Sequence, residues 1–236
     1  MPATANTIHN NFLEIRKTIS NFEKKYHRTH GSVSLLAVSK KQSLEKMSEA
    51  IAVGQKAFGE NYLQEALEKI SYFESIHENL EWHFIGHMQD NKTRKIAEHF
   101  AWVHSLDKQK TAKRLNDQRP LELPPLNICL QINISQEDTK FGISPEEVFE
   151  LAAFCQTLPR LRLRGIMALP APTMDFARQR TNFHPLRDIL KVLKNQYDTI
   201  DTLSIGTSLD LEAAIAEGAT MVRIGTALFG TRNILP

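Results

Sequence analysis

Residues 33–53 read VSLLAVSKKQSLEKMSEAIAV and carry the pattern that decides the fold. An apolar β-type run from Val33 to Val38 is followed by two lysines and by Ser43, which can cap a helix. After Ser43, apolar residues recur at helical spacing and predict an amphipathic helix. A strand that leads at once into a helix is typical of parallel sheets, because parallel neighbours need a crossover connection.

The same strand-then-helix unit repeats along the chain. Further strands are predicted at Lys56–Gly59, Trp82–Ile85, Trp102–His104, Leu126–Ile132, Leu161–Met167, Asp201–Ser204 and Thr220–Ile224. Helical patterns lie between them at Tyr62–Ile76, Lys92–His99, Lys108–Asp117, Pro145–Thr157, Phe176–Gln196 and Leu209–Glu217. Eight strands without a clear break predict a closed (β/α)₈ barrel, with an open doubly wound sheet as the alternative.

One further helix is predicted before the first strand. Its apolar residues share one stripe at steps of three and four, and Asn6 or Thr7 can cap it. These residues are Ile8, Phe12, Ile15, Ile19 and Phe22. We therefore expect a single domain over 1–236, in which the helix within 1–30 packs on the barrel.

The composition narrows the class of protein. The formal net charge of +2 over 236 residues is too balanced to argue for a nucleic-acid or membrane-surface partner, and we expect neither. Cys129 and Cys155 both lie in apolar segments and are expected to be buried thiols in a reducing compartment. The sequence has no zinc-type cysteine and histidine spacing, and its N-terminus has no long apolar run. We expect a cytoplasmic monomer without a metal.

Lys40 closes the first strand and is the first candidate for chemistry. Function in such barrels lies at the carboxyl ends of the strands. A lysine amine that loses hydration there becomes a nucleophile that can form an imine with an aldehyde. The local sequence alone favours a solvated loop lysine, because Lys41 stands beside it.

Candidate phosphate loops follow the last two strands. Barrels often bind phosphate there with backbone amides, and glycine permits close approach. The residues are Gly206, Thr207 and Ser208 after the seventh strand, and Gly225 and Thr226 after the eighth. The alternative is an ordinary turn after each strand, in which Thr207 or Ser208 caps the helix predicted from Leu209.

Other polar residues near the strand ends are weaker candidates. Arg223 lies in an apolar strand and needs a partner, which can be a salt bridge or a ligand. Asn61 can bind a ring hydroxyl or satisfy its own loop. His83 lies within the third strand, where a core role is the alternative, and Ser204 stands at the end of the seventh strand. Lys140 lies in a polar loop typical of surface lysines.

An ordered set of motifs carries a family resemblance. They are Ala37-Val38-Ser39-Lys40, Phe58-Gly59-Glu60-Asn61-Tyr62, Trp82-His83-Phe84-Ile85-Gly86, Gln89-Asp90-Asn91-Lys92, Arg164-Gly165-Ile166-Met167-Ala168 and Val222-Arg223-Ile224-Gly225-Thr226-Ala227-Leu228-Phe229-Gly230. Over about residues 30 to 232 the chain closely resembles the pyridoxal phosphate homeostasis protein family. Each motif alone is unspecific, and the ordered set is specific.

The resemblance implies a barrel of the alanine racemase N-terminal type that carries pyridoxal 5′-phosphate as an aldimine on Lys40. It also implies that Arg223 faces the pyridine nitrogen and keeps it unprotonated, since arginine does not give up its proton. Asn61 is implied to lie near the ring, and Lys140 to take the cofactor transiently. The phosphate is assigned to Ser208, Gly225 and Thr226. The implied role is to buffer the cofactor and to hand it to apo-enzymes, without an established reaction.

The chain departs from the family pattern at four positions, the first of which is Ile205, where the family usually has methionine. Thr207 stands where the family usually has methionine, and its hydroxyl could add a contact. His87 replaces a proline and Asp90 replaces a serine, which changes the third loop.

An enzyme is the alternative function. Racemases of this fold take a second base, a tyrosine, from an additional domain of a partner subunit. The chain ends soon after its eighth strand, and its four tyrosines offer no obvious replacement. A barrel that binds a sugar phosphate through a Schiff base is a third possibility.

Overall fold

The computed structural model describes residues 7–76, 79–135 and 141–230. Its first element is helix α1, Ile8–Lys25, whose amino end is capped by Thr7. The Thr7 hydroxyl oxygen accepts a hydrogen bond from the Asn10 amide at 3.4 Å. Phe12 and Ile19 are buried along one side of α1, so the predicted amphipathic helix is confirmed.

Strands and helices then alternate. The strands are β1 Ser34–Val38, β2 Ala57–Glu60, β3 Glu81–Phe84, β4 Trp102–Leu106, β5 Leu126–Ile132, β6 Leu161–Ala168, β7 Thr202–Ser204 and β8 Met221–Ile224. The helices are α2 Leu44–Ala52, α3 Leu63–Glu74, α4 Thr93–His99, α5 Gln109–Gln118, α6 Val148–Gln156, α7 Phe176–Gln196, α8 Leu211–Ala216 and α9 Thr226–Phe229, with a 3₁₀ turn at Asp90–Lys92 before α4. Each predicted strand is present, with bounds that differ by no more than two residues.

The sheet is a closed parallel barrel in which the strands follow one another in chain order. Strand β8 pairs with β1, so that Leu36 lies opposite Arg223 and Ala37 opposite Ile224. This pairing closes the sheet and decides for the barrel over the open doubly wound alternative.

The apolar core lies mainly between the strands and the helices. There Phe58 and Val103 of the strands join the buried helix residues Met47 and Ile70 in one cluster. A smaller cluster of Trp102, Cys129 and Met167 is separate from it. Successive strand residues point to opposite faces. Since Val103 faces the helices, its neighbours Trp102 and His104 on β4 face the interior of the barrel.

Both cysteines are buried and unpaired, as predicted. Burial raises the pKa of the Cys155 thiol to about 12. The described residues contain no cluster of histidine, cysteine and carboxylate side chains that could hold a metal ion. They also contain no helix with the length and apolar character needed to cross a membrane.

Helix α1 ties the start of the described chain to the segment after β8. The rings of Phe12 and Phe229 meet edge to face, with centroids 5.8 Å apart. The Asn11 side-chain amide donates a hydrogen bond to the Leu228 carbonyl at 2.9 Å. Since α9 directly follows Gly225, α1 packs against the element that continues one of the candidate phosphate loops.

We expect Phe12→Ala to lower the free energy of unfolding by about 3–5 kcal/mol, because a fully buried ring would leave a cavity. Urea unfolding measures the change. The neighbouring Leu13 is 51% exposed, so Leu13→Ala should lose only about 0.5 kcal/mol. Equal losses for the two variants would show that α1 does not support the barrel.

Candidate functional site

A cavity of about 540 Å³ opens where the carboxyl ends of the strands converge. Parallel strands place their carboxyl ends at the same side of the barrel, which brings residues distant in sequence together. The volume is in the range of small-molecule sites, about 300–1,000 Å³. The cavity is lined by Val38, Lys40, Asn61, Ile85, Leu169, Thr207, Ser208, Leu209, Arg223, Gly225, Thr226 and Ala227.

The structure therefore brings together most of the candidates singled out from the sequence. Lys40, Asn61, Thr207, Ser208, Arg223, Gly225 and Thr226 all line this one cavity. His83 and Ser204 do not line it and lie in the barrel interior. Lys140 lies outside the described residues.

The backbone on both sides of Lys40 is held by hydrogen bonds. The Ser39 amide donates to the Gly59 carbonyl at 3.0 Å, which continues the ladder between β1 and β2. The Lys41 amide donates to Glu65 at 2.5 Å. Lys41 has a left-handed backbone, with φ of 59°, a conformation that non-glycine residues adopt only where surroundings hold it. Lys40 is thus presented from a fixed turn.

A buried ion cluster fixes that turn from behind. The Lys69 ammonium of α3 donates to the Ser39 carbonyl at 2.7 Å, to Glu60 at 2.8 Å and to Glu65 at 2.6 Å. Ser39 also donates its hydroxyl to Glu60 at 2.6 Å. The Glu60 side chain is fully buried and that of Lys69 is 6% exposed. Buried charges persist where they are paired and hydrogen-bonded, and this cluster meets that condition.

Burial raises the pKa of Glu60 above its ordinary value, and the Lys69 ammonium offsets part of that effect. One Glu60 oxygen, Oε2, is buried and has no hydrogen-bond partner among the described residues. The carboxylate thus depends on Lys69 and Ser39 for its stabilisation, and both contacts converge on the residue that precedes Lys40.

The loop after β7 differs from the prediction. Helix α8 begins at Leu211, not Leu209, and neither Thr207 nor Ser208 is its cap. The Asp210 carboxylate instead accepts hydrogen bonds from the Thr207 amide at 2.6 Å and from its hydroxyl at 2.8 Å. The Thr207 hydroxyl is thereby committed to the loop itself, while Ser208 lines the cavity.

Two glycines are required where this site packs most tightly. Gly206 has φ of 95°, and a Cβ there would lie 2.6 Å from the Ala214 Cβ. A Cβ on Gly86 would lie 2.2 Å from the Asn61 carbonyl oxygen. The loop after β3 therefore packs directly on the backbone of a cavity residue. The Asn61 Oδ1 is buried without a partner among the described residues, so it leaves an acceptor for a ligand.

The two departures in the third loop have local partners. The His87 ring stacks on Phe141, with centroids 3.6 Å apart and planes at 18°. Asp90 pairs with Lys110 at 2.7 Å at the surface. Both substitutions thus tie this loop to neighbouring segments.

Arg223 is 5% exposed, and its side chain reaches the floor of the cavity. Its guanidinium donates to the Ser204 hydroxyl at 2.8 Å, to the Ser204 carbonyl, and to the Ala168 carbonyl at 2.9 Å. No carboxylate forms a salt bridge with it within the described ranges. Burial lowers the pKa of Arg223 to about 10, so it stays protonated at neutral pH. The partners that this buried arginine needs are thus hydroxyl and carbonyl oxygens, and a structural salt bridge is not formed within the described residues.

We expect Lys69→Met to lower the free energy of unfolding by about 3–5 kcal/mol at pH 8, because Glu60 would be left as an unpaired buried charge. The loss should be smaller at pH 5. The pKa of Glu60 is higher in the folded than in the unfolded protein, so protonation of Glu60 stabilises the fold at low pH. That stabilisation is lost as the pH rises through the pKa of the folded state. Urea unfolding at the two pH values measures both effects.

The exposed pair of Lys95 and Glu98, 3.0 Å apart, provides the control. Lys95→Met should cost less than about 1 kcal/mol, with little dependence on pH. If Lys69→Met gives the same loss at pH 5 and pH 8, the proposed origin of its effect is wrong.

The sequence of this chain is similar to those of known proteins. Residues 14–233 match the family model of the alanine racemase N-terminal domain. The pyridoxal phosphate homeostasis protein of Escherichia coli is 51% identical over 229 residues, which cover 97% of this chain and 98% of the relative. That of Pseudomonas aeruginosa is 52% identical over 227 residues, covering 96% of each chain.

The fold of this chain is also similar to those of solved protein structures. PipY of Synechococcus elongatus with PLP bound has a TM-score of 0.81 and 32% identity, covering 95% of this chain and 100% of that one. Alanine racemase from Corynebacterium glutamicum has a TM-score of 0.67 and 18% identity, covering 96% of this chain and 61% of that one. The racemase likeness shows the fold alone.

Proposed function

This chain belongs to the alanine racemase N-terminal domain family and to its pyridoxal phosphate homeostasis members, and we propose that it binds pyridoxal 5′-phosphate and maintains the supply of that cofactor in the cell. The observation that carries the proposal is the cavity at the carboxyl ends of the strands. It gathers a lysine amine, a buried arginine and two glycine-containing loops around about 540 Å³.

The residues of the cavity fit the groups of this cofactor. Ser208, Gly225 and Thr226 lie on the loops after β7 and β8, where barrels commonly bind phosphate. The Asn61 Oδ1, which has no partner within the described residues, can accept a hydrogen bond from a ring substituent. Arg223 presents a donor that stays charged, and a ring nitrogen beside it would remain an unprotonated acceptor.

We assign Lys40 as the residue that binds the cofactor covalently. The lysine amine would attack the aldehyde carbon and release one water, which forms a Schiff base without any oxidant or reductant. The hydrogen bonds of Ser39 and Lys41 support this role, because they fix the backbone that presents the amine. In its bound form the cofactor supplies an electrophilic imine and a conjugated ring.

We expect wild-type protein loaded with pyridoxal 5′-phosphate to show the visible absorbance of a lysine imine, and Lys40→Ala to lose it. Borohydride reduction followed by peptide mass spectrometry should place the added mass on Lys40. Lys41→Ala is the matched control and should retain both signals. An unchanged spectrum in Lys40→Ala, or label on another lysine, would contradict the assignment.

We further propose that the protein carries the cofactor and does not catalyse a reaction with it. A racemase needs a second base on the other side of the substrate, and the described residues that line the cavity include no tyrosine. Tyr62, which follows Asn61, is 49% exposed. A charged arginine at the ring nitrogen also weakens the ring as an electron sink, which suits storage.

Incubation of the loaded protein with L-alanine should therefore give no D-alanine above the level of Lys40→Ala. Chiral chromatography measures the product over hours. A D-alanine yield that depends on Lys40 would favour the racemase alternative.

Transient delivery to apo-enzymes is consistent with the rim of the cavity. Leu169 and Leu209 line the cavity and are 47% and 62% exposed, so a partner could contact apolar surface beside the bound cofactor. We propose a monomer with one domain, located in the cytoplasm, where buried thiols such as those of Cys129 and Cys155 stay reduced.

A further inference from the structure

A chain of hydrogen bonds runs through the barrel interior from Arg223 to Glu81. Arg223 donates to the Ser204 hydroxyl at 2.8 Å, and the Ser204 oxygen lies 2.9 Å from His104 Nδ1. His104 Nε2 lies 2.9 Å from His83 Nδ1. His83 Nε2 lies 2.8 Å from the Glu81 carboxylate. The chain therefore links the floor of the cavity to the start of β3, at the opposite end of the barrel.

The proton positions follow from the two ends. Glu81 as a carboxylate can only accept, so His83 carries its proton on Nε2 and accepts at Nδ1. His104 must then donate from Nε2 and accept at Nδ1 from the Ser204 hydroxyl. Ser204 in turn accepts from Arg223, which can only donate. With both histidines neutral, this is one consistent assignment, and every donor along the chain points toward Glu81.

The surroundings keep the middle of this chain neutral. His83, His104 and Ser204 are fully buried. Burial lowers the pKa of His83, and burial, together with the Arg223 charge, lowers that of His104 well below its ordinary value. The hydrogen bond from His83 lowers the pKa of Glu81, whose side chain is 48% exposed. A positive end and a negative end are thus joined by neutral, aligned groups.

Barrels commonly fill their interior with branched aliphatic side chains, which contribute to packing alone. In this protein, polar side chains occupy part of that space. Buried polar side chains need a complete set of hydrogen bonds to be tolerated. The His83 ring also stacks on Trp102, with centroids 5.3 Å apart and planes at 8°, which fixes its orientation. Every member of this polar layer is therefore hydrogen-bonded, and the layer ends on Arg223, a charged residue that lines the cavity.

We propose that Ser204, His104, His83 and Glu81 act as positioning residues that orient the Arg223 guanidinium toward the ring nitrogen of the cofactor. This inference rests on the proposed function, since it requires pyridoxal 5′-phosphate to bind beside Arg223. The ligand that this oriented guanidinium would bind is an aromatic nitrogen heterocycle that accepts one hydrogen bond. None of the four is among the described residues that line the cavity, so their effect would pass through Arg223.

The proton assignment is testable without the cofactor. In ¹⁵N-histidine NMR of cofactor-free protein, His83 and His104 should both appear as neutral rings protonated on Nε2 at pH 7. His83→Gln and His104→Gln identify the two sets of signals among the nine histidines. A cationic ring at either position, or protonation on Nδ1, would overturn the proposed orientation of the chain.

The effect on the cofactor is testable with Ser204→Ala, which breaks the contact between Arg223 and His104. We expect binding of pyridoxal 5′-phosphate to weaken about tenfold, as for loss of one hydrogen bond to a charged group. The absorbance maximum of the bound cofactor should also shift. Unchanged affinity together with an unchanged spectrum would overturn the proposal.

Thr93→Val is the matched control for that variant. The Thr93 hydroxyl is also buried and hydrogen-bonded, to Gln118 at 2.8 Å, but it lies outside this chain of residues. It should lower the melting temperature as much as Ser204→Ala does, without changing affinity or spectrum. A spectral change in Thr93→Val equal to that of Ser204→Ala would show a general loss of stability and overturn the proposal.

Glu81→Gln is a second test variant. The Glu81 side chain is half-exposed, so this replacement should not prevent folding. The amide keeps an acceptor for His83 but removes the negative end of the chain. We expect its bound-cofactor absorbance to shift in the same direction as in Ser204→Ala, and an unchanged spectrum would count against the proposal if Ser204→Ala fails to fold. Failure of wild-type protein to bind the cofactor would instead reject the proposed function, while the histidine tautomers would still decide whether the chain is oriented as assigned.

Discussion

The pairing of β8 with β1 is the constraint on which the other features depend. It puts Leu36 opposite Arg223, and it carries β1 and β8 to the same end of the barrel. Lys40, which follows β1, and Thr226, which follows β8, then line one cavity although they lie 186 positions apart in the sequence. A parallel barrel places every strand's carboxyl end on one side, so a single register determines which residues can share a ligand.

Two buried cations in this protein are stabilised in different ways. Lys69 pairs with two carboxylates, Glu60 and Glu65, and so forms a nearly self-contained ion cluster behind the β1 turn. Arg223 has carbonyl and hydroxyl acceptors in place of a carboxylate. A direct carboxylate would neutralise the guanidinium locally, whereas neutral acceptors leave its charge effective in the cavity. The first arrangement fixes the backbone, and the second keeps a charge available.

Local sequence patterns predicted the elements well because alternating strands and helices reflect short-range spacing. They did not predict the Lys69 cluster, since a lysine within an amphipathic helix looks like a surface residue until Glu60 on another element is placed beside it. They gave His83 only as a weak candidate and missed His104, because their link to Ser204 joins three separate strands. The start of α8 was predicted two residues early, since its position depends on Asp210 folding back onto the preceding loop.

The packing of α1 on α9 has a consequence for synthesis on the ribosome. Phe12 and Asn11 are among the first described residues to emerge, yet their contacts with Phe229 and Leu228 form only after the last strand has been made. Contacts of such large sequence separation close late, because loop-closure entropy opposes them until neighbouring structure has formed. A nascent chain has Lys40 early but lacks the opposing wall of the cavity until β8 joins β1. The whole cavity therefore exists only once β8 has been made and paired with β1, and a bound ligand then stabilises the closed form by mass action.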